Sequence, residues 1–97
     1  MKTLHLSLKA KWYEMIESGE KKEEYREIKP YWIKRLGVEG NLIGFKHYDV
    51  VKFSFGYTKR TMLFEVASIS RGIGNPEWGA PNCEVIIIKL GRKMNVL

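Results

Sequence analysis

The chain has a single cysteine in 97 residues, Cys83, which excludes an internal disulfide and a cysteine-based zinc site. A lone thiol is the habit of reducing compartments and predicts a cytoplasmic location. Histidine is nearly as scarce. His5 and His47 stand far apart with no carboxylate or thiol at ligand spacing, so neither a metal nor a cofactor is expected. No uninterrupted apolar run reaches membrane-spanning length, and the N-terminal MKTLHLSLKAKWYEM interleaves Lys and His with its leucines where a signal peptide needs a continuous apolar stretch. Neither membrane association nor secretion is expected, and no repeat or low-complexity segment suggests a solenoid or a disordered tail.

What is present is the balance of a folded globule, 44% apolar and 29% charged. At this length one core is all that the chain can bury, which makes residues 1–97 a single domain. Seventeen Lys and Arg against eleven Asp and Glu give a net charge of +6, which favours polyanionic partners, nucleic acid first among them. The excess is spread evenly. Residues 1–35 carry nine basic and six acidic groups and residues 36–97 carry eight and five, so any basic patch must be built by folding.

Leu4, Leu6 and Leu8 alternate with His5, Ser7 and Lys9, the period of a half-buried strand. From Lys11 the period lengthens: Trp12, Met15 and Ile16 mark one face of a short helix that ends at Ser18-Gly19. Lys22 to Ile28 alternates in a mostly charged way and reads as a strand at an edge or a polar groove. Pro30 opens a second short helix with Trp32, Ile33 and Leu36 as its apolar face and Gly37 as its stop, and Gly40 to His47 reads as a loop. Val50 to Phe55, a turn at Gly56–Lys59 and Thr61 to Ser70 read as a hairpin. An irregular Gly- and Pro-rich loop around Trp78 then leads to a buried strand, Glu84 to Leu90. About five strands and two short helices predict an α+β fold, a small mixed or antiparallel barrel that hides its edges by curling.

The densest charged segment, Ser18 to Glu27, mixes both signs. Strand alternation puts Lys22, Glu24 and Arg26 on one face and Lys21, Glu23, Tyr25 and Glu27 on the other. Glu24 would then neutralise Arg26 and leave Lys21 free for an anion or for acid–base work. The competing reading is a solvated edge strand with surface ion pairs.

Gly19-x-Lys21-x-x-Glu24-x-Arg26 resembles the GxKxxExR signature of the ASCH domains (activating signal cointegrator homology), small barrels of PUA-like fold. LHLSLKAKWYEMIESGEKKEEYREIKPYW is similar to that family's first strand, helix and signature strand, and EWGAPNCEVIIIKLG to its closing strand. The resemblance implies a cleft between signature strand and barrel, proposed in the family to bind RNA, with Lys21, Glu24 and Arg26 facing it. Some similar proteins are amidohydrolases of N4-acylated cytidine and others act on RNA. On the amidohydrolase branch Lys21 matches the family's lysine, Glu24 stands where that pattern has a threonine, and the further acid or base falls to Glu65 or Glu77.

Aromatic rings interspersed with Lys and Arg form the mixture that a single-strand groove uses for stacking and backbone neutralisation. Trp12, Phe53, Phe55 and Phe64 are expected in the core. Trp32, Tyr57 and Trp78, beside turns, are the stacking candidates, with Lys9, Lys22 and Lys29 as further phosphate contacts. Cys83 reads as a small buried hydrophobe. The expectation that follows is a module for RNA or a modified nucleoside or nucleotide, with hydrolysis of an acylated cytidine or of RNA as the enzyme alternative. An acidic protein partner is a third reading.

Overall fold

The computed structural model describes residues 1–95. In β1 (Thr3–Leu8) the expected alternation holds, with the three leucines buried and His5 and Ser7 exposed. Helix α1 (Ala10–Glu17) buries Tyr13 and Ile16 and is followed by β2 (Glu23–Arg26). Helix α2 (Pro30–Leu36) starts on its proline and buries Leu36. Then come β3 (Gly37–Val38), β4 (Asn41–Phe45), β5 (Val50–Phe55), β6 (Thr61–Ile73), a 3₁₀ turn at Pro76–Trp78 and β7 (Glu84–Met94).

Five strands make one sheet in the order β1-β5-β6-β7-β2, with β1 parallel to β5 and the other neighbours antiparallel. Register shifts on either side of Val66 interrupt the β6–β7 ladder, and irregularities of this kind bend a strand and sharpen its twist. The sheet curls into a half-barrel, as a small α+β fold of about five strands and two helices requires. Closure stops short of a full backbone cylinder, because β1 and β2 do not pair and remain the two free edges.

Leu4, Leu6, Leu8, Val51, Phe53, Met62, Phe64, Ile86 and Ile88 fill the concave side, and Tyr13, Ile16 and Leu36 reach it from the helices. Phe53 and Phe64 meet edge-on at 6.2 Å between ring centres, and Tyr13 meets Phe55 at 5.2 Å. Phe55 packs partly buried against this core, whereas Trp12, expected inside it, is half-buried and serves a different surface.

Three sequence expectations are corrected. The segment read as a loop at 40–47 contains β4, which pairs with β3 around a two-residue turn, Glu39-Gly40, with φ of 53° and 75°. Positive φ at both positions suits a type I′ hairpin, but Glu in place of Asn or Asp conceals the signal. Strands β6 and β7 run on to Ile73 and Met94, past the expected Ser70 and Leu90. Each extension pairs with the start of the other strand, Arg71 with Ile86 and Lys93 with Phe64, and is made largely of exposed residues with no core-facing period. Cys83 is exposed, just before β7, whose first buried residue is Val85.

Phe53→Ala, which empties a fully buried site, is expected to lower the unfolding free energy by about 3–5 kcal/mol in urea titration. Glu39→Asn, which better tolerates the left-handed backbone, is expected to raise it by about 0.5–1 kcal/mol.

Candidate functional site

The charged segment owes its geometry to the end of α1. Gly19 takes φ 88°, and the Lys21 amide donates to the Met15 carbonyl at 3.0 Å, so the chain doubles back before β2 begins. Lys21 therefore lies ahead of the strand and escapes its alternation. Its side chain turns inward and joins Glu24 and Arg26, against the expectation that it sits on the opposite face and stays free.

Lys21 and Glu24 are 2% and 6% exposed, the two buried charged side chains among the described residues. The Lys21 ammonium donates to the Trp78 carbonyl and lies 3.3 Å from Glu24 Oε1. It is flanked by the rings of Trp12 and Tyr25, with centres at 4.9 and 4.7 Å. The other Glu24 oxygen, Oε2, holds Arg26 Nη2 at 2.7 Å, and the same nitrogen donates to the Ser7 carbonyl on β1 at 3.3 Å. A chain of charge-assisted contacts thus runs from the Trp78 loop through β2 to the opposite sheet edge. Behind it, the guanidiniums of Arg26 and Arg35 lie over the Trp32 ring, 5.0 and 5.4 Å from its centre, and Arg35 Nη2 donates to the His5 carbonyl at 2.7 Å.

Burial pulls the Lys21 ammonium below its ordinary pKa, and the Glu24 carboxylate opposes that shift. Burial likewise pulls down Arg26, which stays charged under ordinary conditions. Tyr25 is pushed up to about 12, chiefly by burial, against the lowering effect of the Asn75 amide that donates to its phenol oxygen at 2.9 Å. Tyr25 itself donates to Glu23 Oε1 at 2.8 Å.

The Trp78 loop approaches closely enough to require glycine. A Cβ on Gly79, already at φ 96°, would stand 2.8 Å from the Trp12 ring, and one on Gly74 would stand 2.5 Å from the Tyr25 ring. The loop, α1, β1 and β2 enclose an open cleft of about 550 Å³. Lys21, Glu24 and Arg26 form its charged wall, Trp12 and Trp78 border it, and Lys9 and the fully exposed Tyr57 stand beside them.

The expected site residues therefore divide. Lys9, Lys21, Glu24, Arg26, Tyr57 and Trp78 meet at one cleft. Lys22 is exposed and outside it, Lys29 pairs with Glu27 in solvent at 3.2 Å, and Trp32 lies behind the cleft against the core. Glu65 is on β6, where Arg92 holds its carboxyl below the usual range. Glu77 is exposed on the 3₁₀ turn. Neither borders the cleft, so the structure brings no second catalytic carboxylate to Lys21 from those positions. Trp12, Tyr25, Glu27 and the Ser7 carbonyl are the site groups that the sequence reading missed. Trp12 carries the period of a core residue, and a backbone carbonyl carries no sequence signal at all. Among the described residues no three His, Cys, Asp or Glu side chains gather as a metal site, and no helix is long and apolar enough to cross a membrane. No family of known proteins, no curated relative and no solved structure matches the chain.

Glu24→Ala is expected to destabilise by about 3–5 kcal/mol, because it leaves two cations without their counter-charge, whereas loss of an exposed pair such as Lys29–Glu27 costs about 0–1 kcal/mol. Tyr25 has a second, pH-dependent signature. Its folded pKa is raised, so its contribution to stability is complete below about pH 10, the unfolded value, and is lost as the pH climbs toward about 12. In denaturant titrations across that window, Tyr25→Phe is expected to flatten the alkaline fall in stability.

Proposed function

We propose that the cleft binds single-stranded RNA or a modified nucleotide, and that the chain is an ASCH-type domain of PUA-like fold. The observation that carries this reading is the pair of inward-turned cations, Lys21 and Arg26, sharing one carboxylate at a cleft with aromatic walls. Glu24 spends both oxygens on the cations, leaving one net positive charge and a surface rich in donors. Arg26 Nε, buried and without a partner among the described residues, is one more donor that a ligand oxygen would satisfy. Tyr57 and Trp78 offer rings on which a base can stack, and Lys9 supplies a cation for the backbone. The complete GxKxxExR spacing, from Gly19 to Arg26, supports the family reading.

A second reading is an amidohydrolase of N4-acylated cytidine, or an enzyme that cleaves RNA. It is favoured by the Lys21 ammonium, which burial pulls toward neutrality beside a carboxylate, as acid–base work requires. It is weakened by the absence of a hydroxyl at position 24 and of Glu65 and Glu77 from the cleft.

The test is calorimetric titration with short single-stranded and duplex RNAs and with N4-acetylcytidine, at two salt concentrations, with product analysis of every mixture. Lys21→Met, which keeps the aliphatic stem between Trp12 and Tyr25, is the matching variant. The expected result is salt-sensitive binding of single strands, weakened about ten-fold or more by Lys21→Met, with no product. Product that Lys21→Met abolishes would establish the hydrolase. Binding that Lys21→Met leaves untouched would move the site away from the cleft.

A further inference from the structure

A second cavity of about 600 Å³ adjoins the first along β2. Tyr25, Arg26, Glu27 and Gly79 border both, and Pro81, Cys83 and Glu84 are among the new walls. Each cavity has the size of a small-molecule site. Their chemistries differ. The first presents the donors of Lys21 and Arg26, with the Glu24 carboxylate already spent on them. Glu27 lies on the shared border and the second adds the carboxylate of Glu84; their Oε1 atoms are engaged from the surface by Lys29 at 3.2 Å and Arg71 at 3.1 Å. A carboxylate has several lone pairs, so both keep capacity to accept. Carboxylates repel phosphate, and toward a nucleobase they accept from an exocyclic amine such as cytosine N4.

Resting on the nucleotide reading above, we propose that the two cavities are adjacent subsites of one groove, so that the ligand is an oligonucleotide of at least two units, and that the second subsite selects a base bearing an exocyclic amine. Arg26 and Tyr25, common to both cavities, stand where the two units join. Uracil lacks the exocyclic amine and has only its N3–H to offer Glu27 or Glu84.

Cys83 is the single thiol of the chain, exposed and on the wall of the second cavity, which makes it a built-in reporter of occupancy there. The experiment titrates the intact protein by calorimetry with cytidine monophosphate, the dinucleotide CpC and the dinucleotide UpU. In parallel it follows the reaction of Cys83 with a chromogenic disulfide reagent under each ligand at saturation. CpC is expected to bind about ten-fold more tightly than the mononucleotide and than UpU. It should also slow the thiol reaction about ten-fold, against less than about two-fold for the mononucleotide. Equal affinities for CpC and the mononucleotide, with Cys83 fully reactive under both, would overturn the second subsite and leave nucleotide binding standing. Equal binding and equal protection by UpU and CpC would overturn the selection for an amine. No heat from any of the three would remove the nucleotide reading itself, and with it this inference.

Discussion

Glu24 carries both carboxylate oxygens into contacts with buried or half-buried cations, Lys21 on one side and Arg26 on the other. Taking three charged groups out of water is costly unless each finds its partners. Here the partners belong to three separate parts of the chain. Lys21 ends on the Trp78 carbonyl, Arg26 ends on the Ser7 carbonyl, and Glu24 joins them from β2. The carboxylate therefore ties the loop after β6 to the strand that begins the protein, although those segments share no backbone ladder. Without it the two cations would be buried side by side, and the loop and the sheet edge would lose the groups that hold them.

The open seam of the half-barrel follows from the same arrangement. The carbonyls of Lys2 and Leu8 accept from Val50 and Gly56, so the even residues of β1 face β5 and the carbonyls of His5 and Ser7 point outward. In a closed barrel the amides of β2 would take those carbonyls at the usual strand spacing of about 4.8 Å. Instead, guanidinium groups take them: Arg35 at His5 and Arg26 at Ser7, both cations lying over the Trp32 ring. A guanidinium is wider than a peptide hydrogen bond, and it satisfies the edge while holding β2 away from β1. The cleft occupies the space so kept, which places polar satisfaction of an edge strand and access to the site under one cause.

Where burial is one-sided and local, the sequence spells the structure out. The leucines of β1, the apolar spacing of α1, the Pro30 start of α2 and the hairpin from Val50 all emerge from period and turn chemistry. The curling of the sheet also follows from hiding edges, though neither the strand order nor the incomplete closure does, the latter depending on arginines with no period of their own. Of the site, the residue types and the segment were legible and their facing was not. Strand alternation assigns Lys21 to the wrong side because the turn at Gly19 keeps it ahead of the strand, which begins only at Glu23, and a left-handed glycine leaves no count of how far the chain doubles back. Glu65 and Glu77 enter only as counterparts of the further carboxylate that the resemblance implies, and tertiary pairing with Arg92 and the exposure of the 3₁₀ turn put them elsewhere. Trp12 and Cys83 fail for one reason: an apolar residue at a helical or strand-edge position looks internal until the loop that covers or bypasses it is known.

Charge divides between the surface and the cleft in a way that separates attraction from recognition. The protein carries a net +6, yet Lys21, Glu24 and Arg26 together contribute one net positive charge, and the adjoining cavity is lined by Glu27 and Glu84. Most of the positive excess must therefore come from outside the buried cluster, on exposed side chains such as Lys9, Lys11 and Lys59. Exposed cations act over about a Debye length and are screened by salt, so they draw any polyanion without distinguishing one from another. The buried trio is screened far less and is held in fixed geometry by the Trp78 and Ser7 carbonyls, which is the condition for telling one ligand from another. On the proposed reading, discrimination thus falls to the groups whose own charges nearly cancel, and the net charge that dominates the composition would chiefly bring a polyanion near.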